Sequence, residues 1–200
     1  MSVLFVCSGN ICRSPLAELW LSANVGATSG IAAASAGVVA AEGDPVTEQL
    51  AQIARSIGLD PSHHRSRYLS ESIVAESDLL IAMTRSHRRA IVEMVPRKIG
   101  STFTLREFAH LASEVTDAEI ILLAETSLDD KRALNAVLKV ISSRRGQSAV
   151  LRNASDDDVV DPYKRDDETY QLSKTQMLPA LSELQRVLTL ISDTVAVNKR

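Results

Sequence analysis

The two cysteines of the chain lie close together near its N-terminus, in a segment (residues 7–15) that reads Cys-Ser-Gly-Asn-Ile-Cys-Arg-Ser-Pro. Arg13 follows Cys7 by six residues, and its planar guanidinium matches two oxygens of a phosphoryl group. The residues between them can direct their backbone N–H groups at one anion, and Gly9 and Asn10 tolerate the positive φ that such a tight loop requires. The segment therefore predicts a phosphate-binding loop with Cys7 as its nucleophile.

Three features of this loop favour a thiolate at Cys7: the surrounding amides, the positive end of a helix that begins near Arg13, and the guanidinium itself. Ser14 can donate its hydroxyl hydrogen to the sulfur and so steady the thiolate. The alternative is that both cysteines are small buried hydrophobic residues. The glycine, the asparagine and the trailing proline favour the loop, whose remaining members are Ser8, Gly9, Asn10, Ile11 and Cys12.

A thiolate that accepts a phosphoryl group needs an acid to protonate the leaving oxygen and then a base to activate water. Asp161 is the candidate for both roles, because Pro162 biases it toward an extended backbone in a stiffened loop. The alternative is that the acidic residues around it form an ordinary solvated loop. The histidines lie in less informative surroundings; they are His63, His64, His87 and His110.

Short apolar runs alternate with helical patterns along the chain, and the reactive loop falls between the first of each. This alternation predicts an α/β fold: a four-stranded parallel twisted sheet with helices on both faces. Cys7 would then lie at the carboxyl end of a strand, where open parallel sheets bind ligands. The predicted strands are 2–6, 31–36, 78–83 and 101–104, and the predicted helices are 16–21, 45–57, 86–95, 105 to about 145, and 177–191.

Length and composition restrict the function classes further. Two hundred residues, of which 45% are hydrophobic and 24% charged, are typical of one globular domain, which we expect to span residues 1–200. A net charge of −3 argues against a general nucleic-acid-binding protein. The apolar runs are too short for a membrane span and no signal peptide is recognisable, so we expect a cytoplasmic protein.

The loop at residues 7–15 and the Asp-Pro-Tyr at 161–163 together resemble the low-molecular-weight protein tyrosine phosphatase family. In that family the nucleophile loop reads Cys-x-Gly-Asn-x-Cys-Arg-Ser-Pro, and the general acid lies in an Asp-Pro-Tyr or Asp-Pro-Phe near the C-terminus. The resemblance covers residues 1–108 and again about 156–192. Shorter matches within it are Ser35-Ala36-Gly37, His64-x-Ser66-Arg67 and the strand 78–83.

The resemblance implies a role for each matching residue. Cys7 would attack phosphorus and become phosphocysteine, and Arg13 and the loop amides would bind the phosphoryl oxygens. Asp161 would act first as acid and then as base, and Cys12 would form a reversible disulfide with Cys7 under oxidation. Neither a metal nor a cofactor is expected. The loop would be held in shape by a buried polar set, Asn10, Ser35 and His64.

The implied substrate is a tyrosine-phosphorylated protein, with a bacterial tyrosine kinase as one candidate, and phosphate and other oxyanions would bind in the same loop. Ile11 and Tyr163 would form walls of the cleft, and relatives specialised for phosphoarginine carry a smaller threonine in place of Ile11. Residues 38–41, Val-Val-Ala-Ala, stand where many relatives have an aromatic wall, which leaves a protein arginine phosphatase as the closest alternative. A low-molecular-thiol-dependent arsenate reductase is less favoured, because its loop usually reads Arg-Ser-Gln, and here Pro15 follows Arg-Ser.

The largest departure from the family is a segment at about residues 109–155, which is longer than the family norm. Its apolar residues at near-helical spacing predict one or two added helices, and an extension of the core is favoured over a partner-docking surface. Lys164 stands where the family commonly has a second tyrosine or a glycine. Five arginines could form a basic rim for acidic phosphopeptides, with scattered surface positions as the favoured alternative: Arg85, Arg88, Arg89, Arg144 and Arg145.

Overall fold

The structure is a computed structural model, and it describes residues 1–26, 28–146 and 153–199. Four strands form its sheet: β1 (Ser2–Cys7), β2 (Ala32–Gly37), β3 (Leu79–Ala82) and β4 (Thr102–Thr104). The α-helices of the described residues are α1 (Arg13–Asn24), α2 (Glu48–Ser56), α3 (Glu71–Glu76), α4 (Arg85–Met94), α5 (Leu105–Ser113), α6 (Asp117–Glu125), α7 (Asp130–Ser143) and α8 (Asp167–Asn198). Short 3₁₀ helices cover Pro96–Ser101 and Ala154–Asp157.

All paired strands of the sheet are parallel, and their order is β2-β1-β3-β4, which confirms the predicted α/β fold. The connection after β1 runs to β2, whereas the connection after β3 runs in the opposite direction to β4, so a crevice forms at the carboxyl ends of β1 and β3. The register places Cys7 of β1 beside Gly37 of β2. The loop that follows Cys7 therefore begins in this crevice.

Helices cover both faces of the sheet, because successive residues of a buried strand point to opposite sides. On one side Leu4 and Val6 of β1 share an apolar cluster with Val74 of α3 and Ile91 of α4. On the other side Phe5 joins a larger cluster, to which α1, α2 and α5 to α8 all contribute side chains. This larger cluster packs against β1 and α1, the strand and the helix on either side of the loop.

The longest helix, α8, spans 32 residues and lies along this larger cluster. It is amphipathic, with Leu181, Leu184 and Leu188 buried and polar residues on its outer side. Among the helices that the structure describes, none has both the length and the apolar character needed to cross a membrane.

The added segment packs into the larger cluster. Two helices, α6 and α7, lie within 109–155, in agreement with the predicted one or two, and they bury Ile120, Leu134 and Ile141. After α7, Arg145 donates a hydrogen bond to the Glu107 carboxylate at 2.7 Å. The prediction also covers residues 147–152, which lie outside the described residues.

The helix boundaries differ most from the predictions where a capping residue interrupts an apolar pattern. The stretch from 105 to 145 is three helices, because Thr116 and Asp129 start new ones: Thr116 Oγ1 accepts the N–H of Glu119 at 3.3 Å, and Asp129 Oδ1 accepts the N–H of Lys131 at 2.7 Å. The six-residue helix α3 has no counterpart among the predicted elements, because it is too short to show a helical period.

Candidate active site

Cys7 is 2% exposed at the carboxyl end of β1, and the loop after it folds back over its sulfur. The N–H of Asn10 donates to Cys7 Sγ at 3.3 Å, and the hydroxyl of Ser14 lies 3.0 Å from the same sulfur. Asn10 makes this return with a φ of 54°, whereas Gly9 does not use the positive φ that the sequence allowed it. Two hydrogen-bonding groups are therefore in place to stabilise a thiolate at Cys7.

The backbone N–H groups of the loop form an anion-binding arrangement. Those of Ser8, Gly9, Ile11 and Cys12 donate to no acceptor within the described residues. The helix α1 starts directly after them at Arg13, so the positive end of its dipole faces the loop. Such a set of amides suits a phosphoryl group or another oxyanion.

The side chain of Asn10 holds the loop through three hydrogen bonds. Its amide nitrogen donates to Ser14 Oγ at 3.0 Å and to Ser35 Oγ at 2.7 Å, and its oxygen accepts the N–H of Arg67 at 2.9 Å. Nε2 of His64 lies 2.7 Å from the Asn10 carbonyl oxygen. The structure thus brings together Asn10, Ser35 and His64, the set expected to keep the loop in shape.

Two further side chains complete this network, and sequence reasoning assigned them no role. The Ser35 hydroxyl donates to Glu18 Oε2 at 2.5 Å, and Arg67 Nε donates to the Ser35 carbonyl at 2.6 Å. Arg67 lies in a tripeptide match that could have drawn attention to it. Glu18 carries no such signal, because only the packing of α1 against β2 brings it there.

Gly37, the last residue of β2, is where the sheet and the loop approach most closely. A Cβ atom at this position would lie 2.4 Å from the Ser8 carbonyl oxygen and 2.9 Å from the Asn10 nitrogen. Only glycine fits such an approach, because backbone atoms cannot move aside as a flexible side chain can. The Ser8 carbonyl accepts the N–H of Val39 at 3.1 Å, just beyond this contact.

Arg13 and Asp161 are 148 residues apart in the sequence, and their side chains meet beside the loop. Arg13 Nη2 donates to Asp161 Oδ2 at 2.6 Å, and Nη1 donates to the Val159 carbonyl at 3.2 Å. The Arg13 side chain is 3% exposed and that of Asp161 is 50% exposed, so the carboxylate lies between the buried guanidinium and solvent. Arg13 Nε is buried and has no hydrogen-bond partner among the described residues, which leaves it a donor for a phosphoryl oxygen.

The segment that carries Asp161 is anchored to the turn between β3 and α4. The N–H of Val159 donates to the Met83 carbonyl at 2.8 Å, and the Asp158 carboxylate accepts from the backbone N–H of Arg85 at 2.7 Å and from its Nη2 at 3.0 Å. Burial raises the pKa of Asp158, but the hydrogen bonds from Arg85 outweigh burial and hold the pKa below its ordinary value. The anchor is therefore ionised at neutral pH.

The loop forms the floor of a cleft of about 290 Å³. Ile11 and Tyr163 line it, as the sequence predicts, and the other walls come from Val39, Ala41 and Asp44. Tyr163 is the only aromatic residue among the described residues that line the cleft. The remaining lining residues are Cys7, Ser8, Gly9, Cys12, Arg13 and Asp161.

Cys12 is a free thiol, like Cys7, and is 4% exposed. Its sulfur lies 3.5 Å from Thr47 Oγ1 and 3.6 Å from the Tyr170 hydroxyl. Burial raises the pKa of Cys12, and hydrogen bonds from Thr47 and Tyr170 offset only part of that. Burial also raises the pKa of Tyr170 to about 12, so both groups stay neutral at pH 7.

A further contact with the loop comes from His87, to which sequence reasoning assigned no role. Its Nε2 lies 2.9 Å from Ser8 Oγ, and its Nδ1 lies 2.8 Å from Thr84 Oγ1. Burial, and then the positive charge of Arg13, lower the pKa of His87 to about 4, so the ring is neutral at pH 7. No sequence signal could reveal this contact, because Ser8 and His87 are 79 residues apart.

The five arginines considered as a basic rim are each paired with a carboxylate of the chain. They therefore act as structural ion pairs and scattered surface charges, and a common basic surface does not form. The pairs are Arg85–Asp158, Arg88–Glu107, Arg89–Glu93, Arg144–Glu119 and Arg145–Glu107.

Known proteins resemble this chain in sequence and in structure. A family model described as low molecular weight phosphotyrosine protein phosphatase matches residues 2–147. The chain is 36% identical over 106 residues to a probable low molecular weight protein-tyrosine-phosphatase, EpsP, of Ralstonia nicotianae, which covers 53% of this chain and 71% of that protein. It is 38% identical over 106 residues to a protein-arginine-phosphatase of Geobacillus stearothermophilus, with coverage of 53% and 70%.

A solved structure shows the same fold over a longer range. The low molecular weight protein tyrosine phosphatase from T. tengcongensis superimposes with a TM-score of 0.65 and 30% identity, and the match covers 92% of this chain and 97% of that one. The family model ends before Asp161, so the position of this residue in the site is known from the structure, through its contact with Arg13.

Proposed function

Because the chain belongs to the low molecular weight phosphotyrosine protein phosphatase family, we propose that it hydrolyses phosphotyrosine in proteins through a phosphocysteine intermediate on Cys7. One observation carries the proposal: Cys7, Arg13 and Asp161 meet at one cleft, beside a row of backbone N–H groups that no described residue occupies. A nucleophile, an anion-binding group and a proton donor are the parts that phosphoryl transfer to a thiolate requires.

In the first half-reaction the Cys7 sulfur attacks phosphorus, and an S–P bond forms as the P–O bond to the tyrosine side chain breaks. Arg13 and the loop N–H groups bind the phosphoryl oxygens and offset their charge in the transition state. Asp161 in its protonated form gives its proton to the leaving oxygen, so that tyrosine leaves as a neutral phenol.

Substrate binding changes the partner of Arg13. The guanidinium donates to Asp161 at 2.6 Å, and the phosphoryl oxygens of a substrate compete for the same donors. When they take the guanidinium, the half-exposed carboxyl group of Asp161 is free to turn toward the leaving oxygen. The ion pair therefore keeps the acid close to the reaction centre until a substrate arrives.

In the second half-reaction water attacks phosphorus and the S–P bond breaks. The Asp161 carboxylate accepts the proton of that water, which returns the acid to its starting state, and inorganic phosphate leaves. The Ser14 hydroxyl lies 3.0 Å from Cys7 Sγ and can donate to the sulfur as its negative charge returns. Cys7 and Asp161 are then back in their starting states for the next substrate.

A protein arginine phosphatase is the second candidate, and the small aliphatic residues on one side of the cleft favour it. Val39 and Ala41 line the side where an aromatic wall would hold a phenyl ring, and one relative is a protein-arginine-phosphatase. Ile11, which lines the cleft, favours phosphotyrosine, because relatives specialised for phosphoarginine carry a smaller threonine at this position. Phosphotyrosine therefore remains the main proposal.

The test compares a phosphotyrosine peptide with a phosphoarginine peptide as substrates of the wild type, Cys7→Ser and Asp161→Ala. We expect Cys7→Ser to abolish phosphotyrosine turnover, because no S–P bond forms. We expect Asp161→Ala to lower kcat by about 10²- to 10⁴-fold, the range typical of a lost general acid. Asp193→Ala, which removes an exposed carboxylate on α8, is the matched control and should leave kcat unchanged.

Each other outcome contradicts a defined part of the proposal. Turnover of phosphoarginine alone would be consistent with the proposed mechanism and would contradict phosphotyrosine as the substrate. Full activity of Asp161→Ala would remove Asp161 from the acid role. Hydrolysis of neither substrate by the wild type would overturn the phosphatase function itself.

We also propose that Cys12 protects Cys7 from irreversible oxidation. Hydrogen peroxide would convert the Cys7 thiolate to a sulfenic acid, and the Cys12 sulfur would then attack it, forming a disulfide and releasing water. We expect dithiothreitol to restore the activity of the peroxide-treated wild type but not of Cys12→Ser, whose Cys7 oxidises further. Equal recovery of both enzymes would contradict a role of Cys12.

We further propose a cytoplasmic bacterial tyrosine kinase as the protein substrate. A reducing compartment would keep both thiols free for catalysis. Asp161→Ala should retain the autophosphorylated cytoplasmic domain of such a kinase in a pull-down and release it when inorganic phosphate is added. Equal retention of the unphosphorylated domain would contradict recognition through the phosphoryl group.

A further inference from the structure

Ser8, the residue after the nucleophile, is held at two points besides its own peptide bonds. Its carbonyl oxygen accepts the N–H of Val39 at 3.1 Å and lies next to Gly37, where a Cβ atom would approach it to 2.4 Å. Its hydroxyl lies 2.9 Å from Nε2 of His87. The remaining polar group of Ser8, its N–H, donates to no described residue and belongs to the anion-binding row.

His87 is itself fixed by the first turn of α4. Its Nδ1 lies 2.8 Å from Thr84 Oγ1, and the same oxygen accepts the backbone N–H of His87 at 3.3 Å. A neutral imidazole has one donor and one acceptor nitrogen, so the role of Nδ1 toward Thr84 determines the role of Nε2 toward Ser8. The three side chains form a continuous hydrogen-bonded path from the end of β3 to the loop.

Packing alone does not account for this path. His87 is 5% exposed, and burying an imidazole costs free energy that an apolar side chain, such as Ile91 on the same helix, does not cost. Ser8 is one of the residues that line the cleft, and its hydroxyl contacts the buried ring of His87 on α4. This contact fixes the direction of the Ser8 side chain.

We propose that His87 is a positioning residue for phosphoryl transfer, which acts through the Ser8 hydroxyl to hold the N–H groups of Ser8 and Gly9 on the phosphoryl oxygens. The inference rests on the proposed function and deepens it. His87 does not line the cleft, so it acts on the substrate only through Ser8. The ring is neutral at pH 7 and adds no charge of its own to the site.

The test is a double-mutant cycle with Ser8→Ala, His87→Ala and the combined variant. We expect each single change to lower kcat for a phosphotyrosine peptide by about tenfold, because a small misplacement of a loop donor weakens the transition state more than the ground state. KM should change by less than about threefold, since the other loop amides and Arg13 remain. The combined variant should be no slower than Ser8→Ala, because His87 acts through that hydroxyl.

Two variants separate positioning from stability. Ile91→Ala removes a buried side chain one turn further along α4 and should lower Tm while leaving kcat unchanged. His87→Gln keeps an amide that can hydrogen-bond Ser8 and should recover most of the lost kcat. Multiplied losses in the combined variant, or a kcat loss in Ile91→Ala equal to that in His87→Ala, would overturn the proposal.

A binding measurement keeps this inference separate from the proposed function. The Kd of inorganic phosphate, measured by calorimetry at pH 7, requires no turnover, and we expect it to rise about twofold to threefold in both Ser8→Ala and His87→Ala, in line with the small change in KM. If the wild type hydrolyses no phosphoester, the proposed function fails, and the phosphate Kd still decides whether His87 positions the loop. An unchanged Kd in both variants overturns the positioning role.

Discussion

At the scale of single residues, the loop depends on the missing side chain of Gly37. A Cβ atom there would lie 2.4 Å from the Ser8 carbonyl oxygen and 2.9 Å from the Asn10 nitrogen, and both are backbone atoms of the loop. Gly37→Ala must therefore displace the loop N–H groups, and we expect kcat/KM to fall by about 100-fold, as misplacements of about 1 Å do. Steady-state kinetics with a phosphotyrosine peptide measures this.

Gly100→Ala is the matched control for that change. Among the described residues, no heavy atom beyond the chain neighbours of Gly100 lies within 4 Å of a Cβ built on it, and its φ is not in the positive range. Its kcat/KM should equal that of the wild type. Normal activity in Gly37→Ala would show that the loop tolerates a shift of this size, and the close packing of β2 against the loop would then have no catalytic importance.

The principal residues that the sequence predicts for the candidate site meet at one cleft, but several contacts around them were not predicted. Spacing and the family resemblance point to Cys7, Arg13 and Asp161, because each of them lies in a short motif that can be recognised in the sequence. The contacts of Ser8 with His87 and of Ser35 with Glu18 carry no local pattern. They depend on how α1 and α4 pack against the sheet, which single-sequence reasoning does not provide.

At the scale of elements, the position of the acid depends on the turn between β3 and α4. Asp158 precedes Asp161 by three residues. Its carboxylate accepts hydrogen bonds from the backbone N–H of Arg85 at 2.7 Å and from Arg85 Nη2 at 3.0 Å. We expect Asp158→Ala to lower kcat about threefold to tenfold for phosphotyrosine, whose leaving oxygen needs a proton. An aryl phosphate with an acidic phenol should be much less affected, and comparing kcat for the two substrates measures the difference.

Arg89→Ala is the control, because it removes an exposed ion pair with Glu93 on the outer side of the same helix. An equal loss with both leaving groups would contradict the role of the Asp158 anchor in acid catalysis.

The pKa of Asp158 is lower in the folded protein than in the unfolded chain. Its contribution to the free energy of unfolding is therefore complete above the ordinary pKa near 4. That contribution is lost as pH falls through the lower, folded-state pKa.

The helices and strands were predictable where the apolar periodicity is strong. They were not predictable where a capping residue or long-range packing determines where a helix begins or ends. All four strands were found, because buried parallel strands are short apolar runs. The C-terminal helix was predicted as 177–191 and spans Asp167–Asn198, because Asp166 caps it earlier and tertiary contacts carry it through Pro179. The helix α3 was missed, because a six-residue helix depends on its Ser70 cap more than on any period.

At the scale of the whole molecule, the prediction of a single domain over residues 1–200 can be tested at α7, which shares one apolar cluster with the sheet. Leu134 of α7 is fully buried in this cluster, so Leu134→Ala should lower the free energy of unfolding by about 2–5 kcal/mol. If α7 and the sheet unfold together, Trp20 fluorescence from α1 and far-UV circular dichroism should give the same lowered Tm. If the circular dichroism transition comes first, the added helices unfold separately and the single-domain prediction is wrong. The kcat at 25 °C should stay at the wild-type value, because Leu134 lies outside the cleft and the folded fraction still dominates at that temperature.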